Sequence, residues 1–465
     1  MSAAIVWFRR DLRLHEHPAL RAALDAHERM IPAFCLDDRL LHGRHASGPR
    51  TQFLLESLAD LDSSLRSRGS ALVVLHGAPE RELGALAARV GAEEIHFTAD
   101  VSPFARRRGA RVHAVLEAAG VALHGHPGLS AIDDIGEPRT QAGRPYSVFS
   151  AFHRSWERQG RREVLGAPPE LPALPAGVGG AAIPSLKELG LRQEVSEPAV
   201  GGERHGRERL ERFLADGQAR YDTARDEMCA ETSRLSPYLH FGCISAREAE
   251  SRLGTGAGPA AFRRQLCWRD FYHHVLLSFP RNARSEFQAR YRGTIPWSRS
   301  ERLFAAWCEG RTGYPLVDAG MRQLHREGWM HNRARLLAGS FLTKDLGIDW
   351  RWGERFFMRM LIDGDAANNN GNWQWIASVG TDPQPAYRRI LSPTRQMAAH
   401  DPEGRYVRHH LPELANVPAR YLREPWTMPA EVQRQVGCVI GSDYPQPIVD
   451  HVAARRRALE RYRLP

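Results

Sequence analysis

The segment 363–380, DGDAANNNGNWQWIASVG, concentrates side chains that can do chemistry. Asp363 and Asp365 flank a glycine, four asparagines follow, and Trp373 and Trp375 bracket a glutamine. Few of these residue types favour the interior of a helix or a strand. Together they can pair with a cation, hydrogen-bond to a polar ligand and stack on an aromatic one. The composition of the segment raises the question of why acid, amide and indole groups are concentrated there.

A second segment, TSRLSPYLHFG at 232–242, has the features of a helix start. Ser236 is a good N-cap, and the proline after it suits the first helical position. The hydroxyls of Thr232 and Ser233 and the cation of Arg234 come just before it. Such a group can bind an anion such as a diphosphate, and simple helix capping is the alternative interpretation.

Other chemistries are not predicted. The histidine pairs at 273–274 and 409–410 are adjacent, whereas two metal ligands on one helix face need a spacing of four residues. No G-x-S-x-G nucleophile pattern occurs. The six cysteines are scattered without a C-x-x-C pair, which argues against disulfides or a zinc site and fits a reducing cytoplasm.

The first part of the chain alternates short apolar runs with amphipathic helical stretches. That alternation predicts an α/β domain with a parallel, five-stranded, Rossmann-like sheet covered by helices. No G-x-G-x-x-G follows the first strand, which disfavours a dinucleotide at that turn. The strand candidates are IVWF (5–8), MIPAFCL (30–36), LVVLH (72–76), EIHFT (94–98) and VALHG (121–125).

We expect an α/β domain at 1–130, an interdomain linker at 131–202 and an all-α domain at 203–465. The linker assignment rests on the stretch at 166–184, which is rich in Pro, Gly and Ala. From residue 203 the strand signal vanishes, and helical patterns such as RERLERFLADGQARY and FRRQLCWRDFYHHVL replace it. The pattern at 328–365 predicts a longer helical region.

The charge of the chain points to a polyanionic partner. The net charge is +10 and the isoelectric point is near 9.6, and Lys187 and Lys344 are the only lysines. An arginine-rich surface suits nucleic acid first. No apolar run reaches the roughly 18 residues that span a membrane, and the N-terminus lacks a signal-peptide pattern. We expect a cytoplasmic protein without a membrane partner, acting as a monomer.

Five separated motifs, in order, cover nearly the whole chain: VWFRRDLRLHEHPAL, TSRLSPYLHFG, WRDFY, GRTGYPLVDAGMRQLHREGWMHNRARL and DGDAANNNGNWQW. Together they resemble the DNA photolyase/cryptochrome family. The resemblance implies an α/β domain and an all-α domain that encloses FAD. It also implies a lyase that repairs cyclobutane pyrimidine dimers in ultraviolet-damaged DNA, through an electron that photoexcited, reduced FAD gives to a flipped-out dimer.

The resemblance implies a flavin site. The segment Thr232–Ser236 resembles the part that holds the FAD phosphates, and Arg335 and Asp363 match an ion pair beside the flavin ring. The FAD-binding residues implied in this way are Tyr221, Thr232, Ser233, Arg234, Leu235, Ser236, Arg269, Arg335, Asp363, Gly364, Asp365 and Asn369. Asn368, Asn370 and Asn372 are interpreted as turn chemistry.

The resemblance also implies catalytic roles for three tryptophans and one amide. Trp373, Trp350 and Trp297 match the chain that relays an electron from the surface to photoexcited, oxidised flavin. Tryptophans of the protein core are the alternative. Asn369 matches the side chain that faces flavin N5, where an amide can hydrogen-bond but does not readily release a proton. Plant and animal cryptochromes usually carry Asp or Cys there.

The same resemblance implies a lesion site. Trp268 and Trp375 match two rings that clamp the flipped dimer. A dimer stacks badly in the duplex, so extruding it costs less than extruding normal bases, and aromatic walls recover stacking. Other residues that match dimer or phosphate contacts are Gln265, Asn332, Arg225, Arg333 and Arg388.

Two departures bear on the lesion. Cyclobutane-dimer photolyases usually carry Glu where this chain has Gln265, and Met where it has Leu336. The (6-4) photolyases share the Gln but carry histidines where this chain has Asn332 and Leu336. Cyclobutane repair is favoured. The alternatives are a signalling cryptochrome, a (6-4) photolyase and a flavoprotein that transfers electrons without using light.

An antenna chromophore is a further expectation. The folate-binding members need a Glu that would fall at Pro103, so folate is disfavoured. The stretch ADVSPFARRR at 99–108 resembles deazaflavin-binding members, with Asp100 and Arg50 as chromophore contacts. Ser102 and His240 depart from contacts seen in some of those members, and an empty antenna site is the alternative.

Overall fold

The computed structural model describes residues 2–179, 181–382 and 384–463. A five-stranded parallel sheet forms the first part of the chain, in the order β3-β2-β1-β4-β5. Each predicted strand overlaps an observed one, so the predicted α/β fold class is confirmed. The strands are β1 (Ala3–Phe8), β2 (Arg29–Leu36), β3 (Val73–His76), β4 (Glu94–Thr98) and β5 (Ala122–His126). All four neighbouring pairs are parallel.

Helices cover both faces of the central strands of this sheet, whereas β5 at its edge is partly exposed. The helices of this region are α1 (Pro18–Ala26), α2 (Asp38–Leu41), α3 (Gly48–Arg66), α4 (Pro79–Val90) and α5 (Pro103–Ala118). Because both faces are covered, every residue of β1 is buried. Alternate side chains enter different cores: Ile5 and Trp7 pack with α4 and α5, whereas Val6 and Phe8 belong to a cluster that continues into the second part of the chain.

The second part of the chain is helical, as predicted. Its α-helices are α6 (Phe149–Arg158), α7 (Glu203–Arg212), α8 (Tyr221–Ala224), α9 (Ser236–Phe241), α10 (Ala246–Ser251), α11 (Ala257–Ser278), α12 (Glu301–Cys308), α13 (Pro315–Glu327), α14 (Asn332–Ser340), α15 (Trp350–Met360), α16 (Ala366–Ile376), α17 (Pro393–His400), α18 (Arg405–His410), α19 (Ala419–Leu422), α20 (Ala430–Val436) and α21 (His451–Arg461). Within the described ranges, no helix is both long and apolar enough to cross a bilayer.

Short 3₁₀ and π turns join several of these helices. The π turns are Phe213–Gly217 and Phe341–Asp345, and the 3₁₀ turns are Gln218–Arg220, Pro280–Ala283, Ala289–Tyr291, Ala386–Arg389, Pro412–Leu414 and Pro425–Thr427. The region at 328–365 is helical, as predicted, but in two helices. α14 continues directly into the π turn Phe341–Asp345, the helix is interrupted at 346–349, and Asp349 caps α15 by accepting from the backbone N–H of Arg351.

Two local predictions are wrong. Ser236 is the first residue of α9, not its cap, and Leu235 holds the cap position without a side-chain hydrogen bond. The asparagines predicted in turns lie inside α16, because Asp365 accepts hydrogen bonds from the backbone N–H groups of Ala367 and Asn368 and starts a helix there.

The predicted linker range, 131–202, contains more than a connection. Its Pro- and Gly-rich stretch has no helix or strand among the described residues, in line with its composition. However, α6 lies within the range and packs against α11. The ring of Phe149 on α6 stacks on Trp268 of α11, with centroids 3.6 Å apart and planes 3° apart. This part of the range therefore supports a predicted site residue.

Candidate functional site

A cavity of about 610 Å³ opens among α9, α11, α14 and α16. It brings together most of the predicted site residues from five separate segments of the sequence. The predicted residues that line it are Tyr221, Arg225, Thr232, Ser233, Arg234, Leu235, Ser236, Gln265, Trp268, Arg269, Asn332, Arg333, Arg335, Asp363, Gly364, Asn369, Trp373 and Trp375. Its size falls in the range of about 300–1,000 Å³ that is usual for cofactor and ligand sites.

Helix α11 contributes one face to the cavity. Gln265, Trp268 and Arg269 follow a spacing of three and four residues, which places them on the same side of the helix. Arg269 donates hydrogen bonds to the carbonyls of Leu129 and Leu239, at 2.7 and 3.2 Å. With Trp268 stacked on Phe149, these side chains are held in place before any ligand binds.

Helix α16 contributes a further part of the cavity wall. Trp373 and Asn369 lie one turn apart on it, and Trp375 also lines the cavity. The indole N–H of Trp375 donates to Asp382 at 3.1 Å, and the guanidinium of Arg389 lies 4.1 Å from the centre of its ring. The plane of Trp375 is therefore fixed by a hydrogen bond and a cation–π contact.

A hydrogen bond to Glu354 fixes the orientation of the Asn369 side-chain amide. Its Nδ2 donates to the backbone carbonyl of Glu354 at 2.9 Å, so its Oδ1 is left as an acceptor. Burial raises the pKa of the neighbouring Glu354 carboxyl, while Arg44 and Arg355 oppose that shift. The site thus places an amide, rather than an ionised acid, at the cavity wall.

Arg335 and Asp363 form the ion pair that the resemblance implies. Nη1 and Nη2 of Arg335 donate to Oδ1 and Oδ2 of Asp363 at 3.0 and 2.8 Å, in a two-bond arrangement. The Nε of Arg335 also donates to the carbonyl of Met330 at 2.8 Å. The guanidinium plane is therefore fixed at the cavity wall.

The predicted phosphate-binding segment carries donors at one end of the cavity. Arg234 adopts a left-handed backbone with φ near 46°, which turns the chain before α9. Its guanidinium pairs with Glu327 at 2.7 Å and lies 4.3 Å from the ring centre of Trp329. The Nε of Arg225 is buried without a hydrogen-bond partner among the described residues. Because α9 has only six residues, side-chain donors matter more here than its dipole.

The mouth of the cavity carries polar groups from α14. Asn332 is the first residue of that helix, and Arg333 donates to Asp226 at 2.9 Å through its Nε. Leu336, one of the two departures from the family pattern, also lines the cavity. Arg388 lies outside it, exposed in the 3₁₀ turn Ala386–Arg389.

The three predicted relay tryptophans differ in their surroundings. Trp373 lines the cavity, Trp350 is buried at the start of α15, and Trp297 is partly exposed. A backbone bridge between Ser298 and Ile348 joins the segments that carry Trp297 and Trp350. The ring contacts of Trp373 are to Phe357 and Trp307, at 5.0 and 6.1 Å, and the described residues show none between Trp373 and Trp350.

Asp365 lies beside the cavity rather than on its wall. Its carboxylate caps α16 and accepts from Nη2 of Arg10 at 2.6 Å. Arg10 also pairs with the predicted antenna residue Asp100 at 3.3 Å. Burial alone would raise the pKa of Asp365, but Arg10 and His273 outweigh it and hold that pKa well below its usual value.

Arg50, the second predicted antenna residue, lies close to Gly364 in the second part of the chain. It donates to the backbone carbonyls of Met358 and His45. A Cβ on Gly364 would meet its guanidinium at 2.6 Å, so this glycine allows the two regions of the chain to approach. Burial lowers the pKa of Arg50 to about 10, with Arg10 adding to the shift.

Several site residues were not found from the sequence. Arg10 and Trp329 lie within the motifs that carry the family resemblance, so those motifs could have indicated them. Phe149, Glu354 and Asp382 carry no local signal, because each acts through a side chain that is distant in sequence.

Two family descriptions match this chain. Residues 4–176 match "DNA photolyase", and residues 262–464 match "FAD binding domain of DNA photolyase". The chain is 41% identical over 463 residues to a deoxyribodipyrimidine photo-lyase of Streptomyces griseus, with 98% of each chain covered. It is 39% identical over 485 aligned positions to one of Halobacterium salinarum, again with 98% of each covered. A solved class III photolyase from Agrobacterium tumefaciens is similar over 100% of this chain and 97% of its own, with a TM-score of 0.91 and 33% identity.

Proposed function

The chain belongs to the DNA photolyase family, and from that premise we propose how its own residues carry out the family's reaction. The protein is a light-driven lyase that repairs cyclobutane pyrimidine dimers in DNA with FAD as its cofactor. The observation that carries this conclusion is the single cavity in which the predicted flavin-side residues and the predicted dimer-side tryptophans meet.

The residues present fit FAD. A paired Arg335–Asp363 unit and the Asn369 acceptor suit the polar edge of a flavin ring. The hydroxyls of Thr232 and Ser233 suit the phosphate oxygens of FAD. When bound, FAD supplies the light absorption and the one-electron donor that side chains lack.

The protein contributes orientation and electrostatics on the flavin side. With FAD bound, the Oδ1 of Asn369 would be available to accept a hydrogen bond from the flavin, and an amide does not release a proton at neutral pH. The guanidinium of Arg335 places positive charge at the wall, where negative charge on a reduced ligand is stabilised. Both groups are fixed by protein partners, so little reorganisation accompanies the reaction.

The lesion side receives the dimer between two aromatic planes. Trp268 and Trp375 both line the cavity, and each is held by a separate protein contact before DNA binds. Stacking on such rings is worth roughly 1–3 kcal/mol per base. Gln265 and Asn332 carry amides that donate to and accept from the base edges.

Arginines around the mouth position the DNA. Arg225 and Arg333 line the cavity, and Arg388 is exposed outside it. Contacts of this kind bind phosphates without reading sequence, and they make affinity fall with salt. The excess of positive charge over the whole chain supports the same role.

Reactivation of oxidised cofactor is assigned to Trp373, Trp350 and Trp297. Trp373 at the cavity wall, the partly exposed Trp297 and the backbone bridge that joins the segments of Trp297 and Trp350 support a path to the surface. Indoles suit this role because they can be oxidised and still pack in a core.

The direct test is repair of defined lesions. Purified protein is incubated with DNA that contains either cyclobutane dimers or (6-4) products, in light and in the dark. We expect loss of cyclobutane dimers only in light and no loss of (6-4) products. No light-dependent loss of either lesion would exclude the lyase and leave a signalling role. Gln265→Glu, tested beside the wild type, should keep repair activity.

We also propose an antenna chromophore of the deazaflavin type at the carboxyl ends of β1 and β4. In open α/β sheets, ligands bind at the crevice where the strand order reverses, and here that point lies between β1 and β4. Asp100 follows β4 and Arg10 follows β1 at this crevice. Extraction and fluorescence of the bound chromophores tests the proposal, and FAD as the sole chromophore of freshly prepared protein would contradict it.

The remaining expectations concern the state of the protein. We propose a cytoplasmic monomer with parts at 1–130, 131–202 and 203–465, since one chain builds the whole cavity and all six cysteines are free. Light scattering coupled to gel filtration tests the monomer, and a stable dimer at micromolar concentration would exclude it.

A further inference from the structure

Far from the cavity, four histidines and one glutamate gather on one face of the sheet. Glu94 and His96 lie two residues apart on β4, and His124 and His126 lie two apart on β5. Side chains at this spacing point to the same face of a sheet, and the parallel register sets His96 opposite His124. His27, the C-cap residue of α1, completes the group.

Three ring nitrogens converge on a single carboxylate oxygen. Oε2 of Glu94 lies 3.2 Å from Nε2 of His27, 3.0 Å from Nε2 of His96 and 3.4 Å from Nε2 of His124. The ligand atoms of His27, Glu94 and His96 all lie within 4.8 Å of one another. Tetrahedral zinc with bonds of about 2.0–2.1 Å separates its ligand atoms by roughly 3.3–3.4 Å. The three distances to Glu94 bracket that value.

One carboxylate oxygen has two lone pairs, so hydrogen bonding to Oε2 of Glu94 does not account for all three imidazole nitrogens. The side chains of His27 and His96 are each only 5% exposed. Within the described part of the chain, the Nε2 atoms of both have no hydrogen-bond partner, although both lie close to Glu94. Buried imidazole nitrogens normally find partners, so two of them aimed at one carboxylate need an explanation.

The surroundings suit a metal ligand. Nδ1 of His96 lies 2.9 Å from Nε2 of His126. When that Nδ1 donates, the Nε2 of His96 keeps its lone pair toward Glu94, which is the tautomer that a metal ligand requires. Glu94 and His124 are 32% and 45% exposed, so an ion can enter from solvent.

We propose that His27, Glu94, His96 and His124 bind a divalent transition-metal ion, and zinc in particular. Imidazole nitrogens with one carboxylate oxygen are ligands that zinc accepts readily, and a site with four protein ligands is of the structural kind. The ion would tie the end of α1 to β4 and β5. Its role is therefore stabilisation of the α/β region, separate from light-driven repair.

Zinc binding to the full-length, FAD-containing protein tests the proposal. The protein is stripped with a chelator, titrated with ZnSO₄ against a chromogenic competitor, and analysed for bound zinc by mass spectrometry. We expect one zinc per chain and a higher thermal unfolding midpoint with zinc. His27→Gln, Glu94→Gln and His96→Gln should each weaken binding by at least about tenfold, and His124→Gln should weaken it too.

His113→Gln is the matched control. His113 is an exposed histidine on α5, paired only loosely with Glu117 at 3.8 Å, and its loss should change neither zinc affinity nor the midpoint. The FAD content of each variant reports correct folding, and Glu94→Gln keeps the size of the side chain. Wild-type affinity in any of the His27, Glu94 or His96 variants, or binding lost equally in His113→Gln, overturns the proposal.

Discussion

Nη2 of Arg10 lies 2.6 Å from Oδ2 of Asp365, which joins the end of β1 directly to the start of α16. The same guanidinium donates to the carbonyl of His240 at 3.0 Å and pairs with Asp100 at 3.3 Å. One arginine from the sheet therefore contacts the helix that carries Asn369, Trp373 and Trp375. The first domain positions the site although it contributes no wall residue to the cavity.

Arg10→Gln should destabilise the protein and loosen its cofactor. Asp365 would remain buried without its cation, which costs about 2–4 kcal/mol after allowance for the partial exposure of Arg10. We expect a lower thermal midpoint and a lower ratio of flavin to protein absorbance. Asp100→Asn removes only the longer contact and should have a smaller effect on both. Equal effects of the two variants would contradict the role given to the Arg10–Asp365 pair.

Trp268→Ala should weaken the preference for damaged DNA while FAD remains bound. Loss of one stacking wall costs roughly 1–3 kcal/mol, which corresponds to roughly 5- to 150-fold in affinity. Competition between dimer-containing and undamaged duplexes measures it. Trp268→Phe, which keeps an aromatic plane against Phe149, should lose less. Unchanged discrimination by the alanine variant would exclude the clamp.

Trp297→Phe should slow photoreduction of oxidised flavin but leave repair by chemically reduced protein largely intact. Phenylalanine keeps the packing and is much harder to oxidise than indole. Flavin absorbance under illumination with a reductant measures the first effect. Trp426→Phe is a control, since Trp426 is partly buried beside Tyr314 and away from the relay. Photoreduction at the wild-type rate would remove Trp297 from the path.

Arg335→Gln and Arg333→Gln should separate cofactor binding from DNA binding. The two arginines lie two residues apart on α14 but pair with different acids, Asp363 and Asp226. Loss of Arg335 should lower FAD content. Loss of Arg333 should spare FAD and reduce the slope of log affinity against log salt by about 0.7–0.9. Matching effects of both variants on FAD content would argue against this division.

His331→Asn should reduce the loss of stability in acid. Burial lowers the pKa of His331 from 6.5 to about 4, and Arg335 adds to the shift. The unfolded chain therefore binds the proton first, and the free energy of unfolding falls as pH decreases from about 6.5 to about 4. Asn cannot titrate but can still cap α14, where the Nδ1 of His331 accepts from the N–H of Arg333. Denaturant unfolding across this pH range measures the slope, and an unchanged slope would show that His331 does not contribute.

The sequence by itself determined the fold class and the types of residue at the site. The strands could be predicted because the central strands of a parallel sheet are buried on both faces and therefore consist of short apolar runs. The motifs around Thr232, Trp268, Arg335 and Asp363 named most residues that line the cavity. Composition gave the wrong secondary structure for α16. Four asparagines argue against a helix, and the hydrogen bonds that Asp365 accepts at its N-cap are seen only in the structure.

Only the tertiary structure decided which side chains act together. Phe149 fixes Trp268, Glu354 directs Asn369 and Arg10 holds Asp365, and each pair joins residues from separate elements. The histidines on β4 and β5 show the same limit: alternation predicts which face each occupies, but only strand order and the position of His27 bring their nitrogens to one carboxylate. Local propensity acts along the chain, whereas hydrogen bonds, ion pairs and metal sites depend on distances that packing sets.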